Sequence, residues 1–274
     1  MFDSNLAVIL FGACIGSFLN VVIYRLPMKK SFIFPRSRCP SCYEKLKTFD
    51  LIPVFSWIFL RGRCRYCFNS ISIKYPLIEV TTSLLFFICY KTNPFIDGTL
   101  LSIISILFGW ILISILICLS IIDIEYMILP DSLTVLGSIL GLAYIFLIES
   151  YQDNYSFQSF KDHLFSFFLV FFGVYLFSLI VKFIIGKPGL GEGDVKLFAM
   201  SAAWLGLVGF EVTIMLSFLL GGLFALVAIL FKTIKRGGYI PFGPFICFSI
   251  FITWIFGSQT LIDSLGHIFW WRYL

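Results

Sequence analysis

The chain has 274 residues, of which 59% are hydrophobic and only 13% charged. Soluble globular domains carry about 25% charged residues, so this balance excludes an ordinary soluble fold and implies a membrane protein. The formal net charge of +5 reads as membrane topology and not as a nucleic-acid footprint.

Apolar stretches of the ~20 helical residues needed to cross a hydrocarbon core of about 30 Å recur along the chain. They predict eight transmembrane helices, near residues 5–25, 76–91, 99–122, 131–148, 163–185, 195–208, 211–231 and 240–256. The first follows Asp3 rather than a basic segment and runs to full spanning length. It is therefore expected to stay as a helix and not to be cleaved as a signal peptide. Residues 26–75 break the pattern, with ten basic residues, four of the eight cysteines and several prolines. They predict a small cytoplasmic domain inserted after the first helix. Within it the run LIPVFSWIFL, residues 51–60, is too short to span and is expected to pack inside the domain or lie along the membrane surface. The polar, aromatic loop 149–162 receives no function. The expected fold class is thus an all-α polytopic membrane protein divided at residues 1–25, 26–75 and 76–274.

Orientation follows from Lys and Arg, which concentrate in cytoplasmic loops. With eight spans and the N-terminus outside, Arg25 to Lys74 place eleven basic residues inside. Lys182, Lys187, Lys196, Lys232, Lys235 and Arg236 add to them, against Lys91, Lys161 and Arg272 outside. The outer loop carries Glu149, Asp153 and Asp162 against Lys161 alone.

Two pairs, Cys39-Pro-Ser-Cys42 and Cys64-Arg-Tyr-Cys67, are separated by 21 residues, close to the spacing of zinc ribbons. Two such turns brought together make the tetrahedral thiolate shell that Zn²⁺ favours, and Lys45, Arg61, Arg63 and Arg65 offset its negative charge. Disulfides are the alternative, disfavoured in a reducing cytosol. Four cysteines leave no open position for water, so a structural metal is expected. Cys14, Cys89, Cys118 and Cys247 fall in apolar spans and are read as small buried hydrophobes.

Acidic side chains beside hydrocarbon cost about 2.5–3.5 kcal/mol at a helix centre, which marks each as a candidate functional group. Two clusters stand out, both expected on the cytoplasmic side. In the first, Asp123 ends the third span, where the helix dipole opposes a negative charge. Pro130 and Asp131 suit the first turn of the next helix, which is a sufficient structural account of Asp131. In the second, Gly191-Glu192-Gly193-Asp194-Val195-Lys196 opens the sixth span, where backbone N–H groups and Lys196 would favour an ionised Asp194. A carboxylate and a carboxylic acid side by side are what an aspartic peptidase uses to activate water and polarise a carbonyl. Gly191 and Gly193 would let an extended substrate approach the backbone. Helix capping and solvated loop charge is the plainer reading of each cluster alone.

Taken in order, GACIGSFLNVVIYRLP at residues 12–27, IPVFSW, LRGRCRYC and IKYPLIEV around the cysteine pairs, DIEYMILPD, and GEGDVK resemble the bifunctional bacterial type IV prepilin peptidase family. The resemblance implies that Asp123 and Asp194 are the catalytic aspartates, the first in a D-x6-PD motif completed by Pro130 and Asp131. The second sits in a GxGD motif, also similar to presenilin-type intramembrane peptidases, supported by Gly191, Gly193 and Lys196. Cys39, Cys42, Cys64 and Cys67 match metal-binding cysteines, implying structural Zn²⁺. Residues 76–274 would then form the transmembrane aspartic peptidase domain. The implied substrates are prepilin and pseudopilin precursors of type IV pilus and type II secretion systems. They are cut after a glycine at the cytoplasmic face of a bacterial inner membrane, with the basic leader near Glu125 and Glu192. S-adenosylmethionine would then methylate the new N-terminus, commonly phenylalanine. GLGEGDVK departs locally from the family pattern in its lead-in.

The residues that bind the methyl donor remain unknown at this level, because no GxGxxG fingerprint of the strand–helix type is present. Glu79, at the start of the second span, is a candidate polar group, with helix packing or capping as its alternative. Outside the lipid bilayer and these precursors, no nucleic-acid partner is implied. Two other classes compete: a proton-coupled transporter, against which stand acid motifs on a single face and no pair of broken helices, and a non-catalytic assembly scaffold.

Overall fold

The computed structural model describes residues 4–92, 99–152, 157–186, 189–231 and 240–269. Lys187, Lys232, Lys235, Arg236, Arg272 and Asp153, which entered the orientation argument, lie outside the described residues. The described chain is helical: α1 (Ser4–Arg25), a short α2 (Phe55–Phe59), α3 (Lys74–Lys91), α4 (Leu100–Tyr126), α5 (Asp131–Tyr151), α6 (Gln158–Ile185), α7 (Glu192–Leu230), α8 (Gly243–Phe256) and α9 (Ser258–Phe269). Among the described residues there is no β-strand, only two isolated bridges. The protein is an all-α, multi-pass membrane protein.

Five helices, α1, α4, α5, α6 and α7, are long and apolar enough to cross a membrane, and a sixth span is counted if α8 and α9, bent by 97°, form one. Among the described residues the expected count of eight is not reached. The second expected span coincides with α3, whose 18 residues include Lys74, Glu79 and Lys91. The sixth and seventh lie within α7, 39 residues with non-helical torsions at Gly206 (φ 69°, ψ −173°). A straight helix of that length would run about 58 Å, twice the hydrocarbon core, so the break at Gly206 is where it changes course. Glycine alone tolerates that positive φ without strain.

The chain divides into two compact units, Met1–Ile96 with Gly109–Cys118 and Asp97–Phe108 with Leu119–Leu274. In the first, α1 lies tightly on α3. A Cβ at Gly12 would stand 2.7 Å from the Ser83 Cα, and one at Gly16 2.7 Å from the Glu79 Cα. Two glycines four apart thus let the backbones touch, as small residues do between helices in lipid. Ser83 Oγ donates to the Ile9 carbonyl at 2.7 Å, and Asn20 Nδ2 donates to the carbonyls of Gly16 and Tyr75, each at 3.2 Å. Trp110 stacks on Phe86 and donates to its carbonyl at 3.1 Å.

Of the two placements expected for the run at 51–60, the exposed one describes most of it: Leu51, Ile52, Phe55, Ile58 and Phe59 are all exposed, Phe59 by 82%, while Trp57 turns inward to the Ile71 carbonyl. An exposed apolar face of this kind suits contact with a membrane surface. Cys14 is exposed, whereas Cys89, Cys118 and Cys247 are buried as expected. Cys14 lies two residues from Gly12 and Gly16 alike, and so cannot share their packed face of α1.

In the second unit the core is built on Trp204, 2% exposed. Its Nε1 donates to the Gly137 carbonyl at 2.8 Å, and its ring occupies the space a Cβ at Gly141 would need. Tyr144 and Trp254 pack against it. Glu149, counted above with the outer-loop charges, is buried and accepts the N–H groups of Ser159 and Phe160 at 3.1 and 2.9 Å. It thereby caps the start of α6.

Candidate active site

Asp123 sits on the last turn of α4. The helix closes at Met127, left-handed at φ 56°, whose N–H returns to the Asp123 carbonyl at 2.9 Å. This early stop, followed by Pro130 as the residue before α5 and Asp131 as its first, turns the chain within five residues and leaves the Asp123 residue only 6% exposed. Asp194 sits on the first turn of α7, where its Oδ2 accepts the Gly191 N–H at 3.3 Å. That is the reach-back half of a capping box, and it satisfies one of the orphan donors at a helix start.

The two segments meet beside the start of α8. Gly243, its first residue, donates its N–H to Asp123 Oδ2 at 2.9 Å. A Cβ there would come within 2.7 Å of the same oxygen and 3.2 Å of Leu129 Cδ2. A Cβ at Gly193 would stand 2.8 Å from Leu129 Cβ. Leu129 therefore fills the space between the glycine next to Asp194 and the glycine that holds Asp123. The charge of Asp123 is felt at Asp194, and Cys247, one turn into α8, feels both. Neither carboxylate is ion-paired among the described residues.

Lys196 does not serve Asp194. Its Nζ bonds Asp131 Oδ1 at 2.6 Å, because side chains two apart on a helix point away from each other. That pair is open to solvent, 31% and 67% exposed, and contributes about 0–1 kcal/mol. Gly193 is explained by the approach of Leu129, and Gly191 by the carboxylate of Asp194, 3.2 Å from where a Cβ would stand.

The four cysteines come together in the first unit. Each CxxC pair makes the same turn: Tyr43 and Phe68, four residues after Cys39 and Cys64, adopt φ 59° and 56° and return their N–H groups to those cysteines' carbonyls at 2.9 and 3.0 Å. Asn69 Nδ2 ties the turns together through Ser41 Oγ at 2.8 Å. All four sulfurs lie within 4.8 Å of one another, with Cys39 and Cys67 at 3.9 Å. A tetrahedral metal with bonds of about 2.3 Å sets its sulfurs ~3.8 Å apart, so the cluster can hold a metal ion. The thiols divide unequally. Burial opposes ionisation of Cys39, but the N–H groups of Cys42 and Ser41 prevail and bring it down to about 7. Cys42, although aided by the Glu44 N–H, is driven up to about 11 by desolvation and its neighbouring thiols. Crowded thiolates of this kind need a cation to coexist. Beside them Asp50 accepts from Arg65 Nε at 2.7 Å and from the Tyr66 hydroxyl at 3.3 Å.

Gly243 and Leu129 were not singled out by sequence. The signal for the first was present: Pro241-Phe242-Gly243-Pro244 before an apolar run marks a helix start whose N–H groups need an acceptor. Leu129 is one apolar residue among many, and only its neighbours identify it.

Comparison with known proteins adds a family context. A model described as the bacterial peptidase A24 N-terminal domain matches residues 10–92, and one described as the type IV leader peptidase family matches residues 110–226. The prepilin leader peptidase/N-methyltransferase of Legionella pneumophila is 33% identical over 285 residues, covering 96% of this chain and 94% of that one. Its counterpart in Pseudomonas aeruginosa is 30% identical, covering 93% and 91%. The Myxococcus xanthus protein of the same name is 35% identical over 214 residues, or 74% of this chain and 57% of that longer one. No solved structure matches the chain.

Proposed function

The chain belongs to the type IV leader peptidase family and is an enzyme that processes prepilins and N-methylates them; on that footing we propose that Asp123 and Asp194 are its catalytic pair. What carries the assignment is their convergence: the first N–H of α8 holds Asp123, and Leu129 bridges that glycine to the one beside Asp194. Two carboxylates brought within about 4 Å would repel by roughly 4 kcal/mol at an effective dielectric near 20, which favours one proton shared between them. The carboxylate takes a proton from water as the water oxygen bonds to the scissile carbonyl carbon, and the acid donates to the carbonyl oxygen. Collapse breaks the C–N bond: the leaving amine takes the proton that came from water, and the gem-diol returns the other to the second aspartate as the carbonyl re-forms. Gly243 occupies one oxygen of Asp123 and leaves the other for water.

The substrates are prepilin and pseudopilin precursors cut after a glycine, with Glu125 and Glu192 drawing the basic leader toward the aspartates. Residues 26–75 form the domain in which the four cysteines hold Zn²⁺ in a closed, structural site, and residues 76–274 the peptidase domain. The eleven basic residues from Arg25 to Lys74 support a cytoplasmic position for that domain at a bacterial inner membrane, and the cleavage site is assigned to the same face. S-adenosylmethionine supplies a methyl carbon on a sulfonium. With that donor bound, the freed amine would take the methyl group, leaving a neutral thioether and one proton.

The test is to incubate purified full-length protein with a precursor peptide, with and without S-adenosylmethionine, and weigh both products. Asp123→Asn and Asp194→Asn should each abolish cleavage yet still methylate a peptide supplied already trimmed. Normal cleavage by either variant refutes the assignment.

A further inference from the structure

The first unit holds a half-open cavity of about 570 Å³ that plays no part in the peptidase chemistry. Its volume falls in the range of about 300–1,000 Å³ typical of cavities that enclose drug-sized ligands. Tyr24 of α1, Arg36 and Arg38 beside the first cysteine turn, Trp57 of α2, and Tyr75 and Glu79 of α3 all line it. These residues lie inside the segment matched by the N-terminal model, residues 10–92, and outside the peptidase segment, residues 110–226.

Glu79 is the anomaly in this wall. The residue is only 8% exposed, and its Oε2 takes the Val54 N–H at 2.7 Å, yet no Lys or Arg among the described residues pairs with it. The Ser17 hydroxyl is its other donor, so hydrogen bonds but no cation meet this carboxylate, and a cation brought by a ligand would offset the cost of burying it. The Val54 it holds is itself strained, a β-branched residue at φ 62°, and backbone strain of this kind collects where ligands are clamped. Trp57 is fixed on its other side by a 3.1 Å bond from Nε1 to the Ile71 carbonyl, which gives the cavity a rigid aromatic wall. Arg36 and Arg38 form no ion pair among the described residues and remain available for a carboxylate.

A ligand with a cation, a carboxylate and a flat ring answers all three features. We propose that this cavity binds the methyl donor S-adenosylmethionine, with Glu79 as counter-charge to its sulfonium, Arg36 and Arg38 for its carboxylate, and the aromatic wall for its purine. The inference rests on the methyltransferase reading above and adds the place where the donor sits. The basic wall argues against the basic leader of the substrate as occupant.

The experiment uses full-length protein in detergent. Ultraviolet cross-linking with methyl-tritiated S-adenosylmethionine should label peptides containing Trp57 or Tyr75, and excess S-adenosylhomocysteine should suppress the label. By equilibrium dialysis, Glu79→Gln should bind the donor about tenfold more weakly or worse, with zinc content and leader cleavage unchanged. Label confined to residues 119–264 overturns the proposal, as does label displaced by anionic phospholipid but not by S-adenosylhomocysteine. So does wild-type binding by both Glu79→Gln and Trp57→Leu while wild-type methylation persists, an outcome that leaves the methyltransferase reading standing. A protein that cleaves but neither binds the donor nor methylates sinks both. The label mapping needs no variant, so it decides the matter even if Glu79→Gln fails to fold.

Discussion

Gly243→Ala puts one methyl group where the structure has room for none. The new Cβ would stand 2.7 Å from Asp123 Oδ2, about 0.7 Å inside the 3.4 Å at which ordinary contact begins, and 3.2 Å from both Asp123 Cγ and Leu129 Cδ2. The carboxylate must retreat, because the backbone of α8 is anchored by the rest of the helix. A retreat of that size stretches the 2.9 Å bond from the Gly243 N–H beyond hydrogen-bonding range. Misplacement of a reacting group by ~1 Å costs on the order of 10²-fold in rate. Cleavage of a precursor peptide should therefore fall about 10² in kcat with little change in KM, while zinc content and methylation of a trimmed peptide stay at wild-type levels. Gly222→Ala, at a glycine with nothing within 4 Å of the added Cβ, is the matched control and should cleave normally. If Gly243→Ala cleaves as fast as the control, the α8 start does not position Asp123 and the site geometry derived above is wrong.

Cys64→Ser should lose the bound metal and, with it, the folded cysteine segment. Metal content by mass spectrometry and protease resistance of residues 26–75 would report both, and retained metal would count against a four-thiolate site. Gly16→Val must push α1 off α3, since its Cβ meets the Glu79 Cα at 2.7 Å. A cost of about 1–3 kcal/mol in thermal unfolding is expected. Asp50 gives a pH dependence. Burial alone would raise it, but the Arg65 guanidinium, the Lys47 N–H and the Tyr66 hydroxyl hold it below the ordinary carboxylate value. Its contribution is therefore complete above the unfolded value of about 3.9 and is lost as pH falls through the lower folded value. Arg65 is 49% exposed, which limits the pair to about 1 kcal/mol or less. Asp50→Asn should flatten the acid limb of an unfolding-versus-pH curve by that amount, and an unchanged limb would show that the pair does not matter.

Composition and local pattern were enough for much of this protein. Hydropathy alone implies an all-helical membrane chain, because a backbone in lipid must satisfy its hydrogen bonds within itself. The two CxxC turns were legible because each is a local structure with its own hydrogen bonds, and tetrahedral sulfur geometry is a property of the metal. The acidic motifs were legible because charge beside hydrocarbon is costly and so seldom idle. Span number was not: α7 reads as two segments and is one helix broken at Gly206, a choice made by packing around it. Nor were the partners of the charged groups. Lys196 was assigned to its near neighbour Asp194, and only helical phase sends it to Asp131. Gly243 and Asp123, 120 positions apart, share a hydrogen bond that no local pattern encodes. Local rules determine which segments are helices and which side chains are costly to bury, and contacts between distant segments decide what those side chains face.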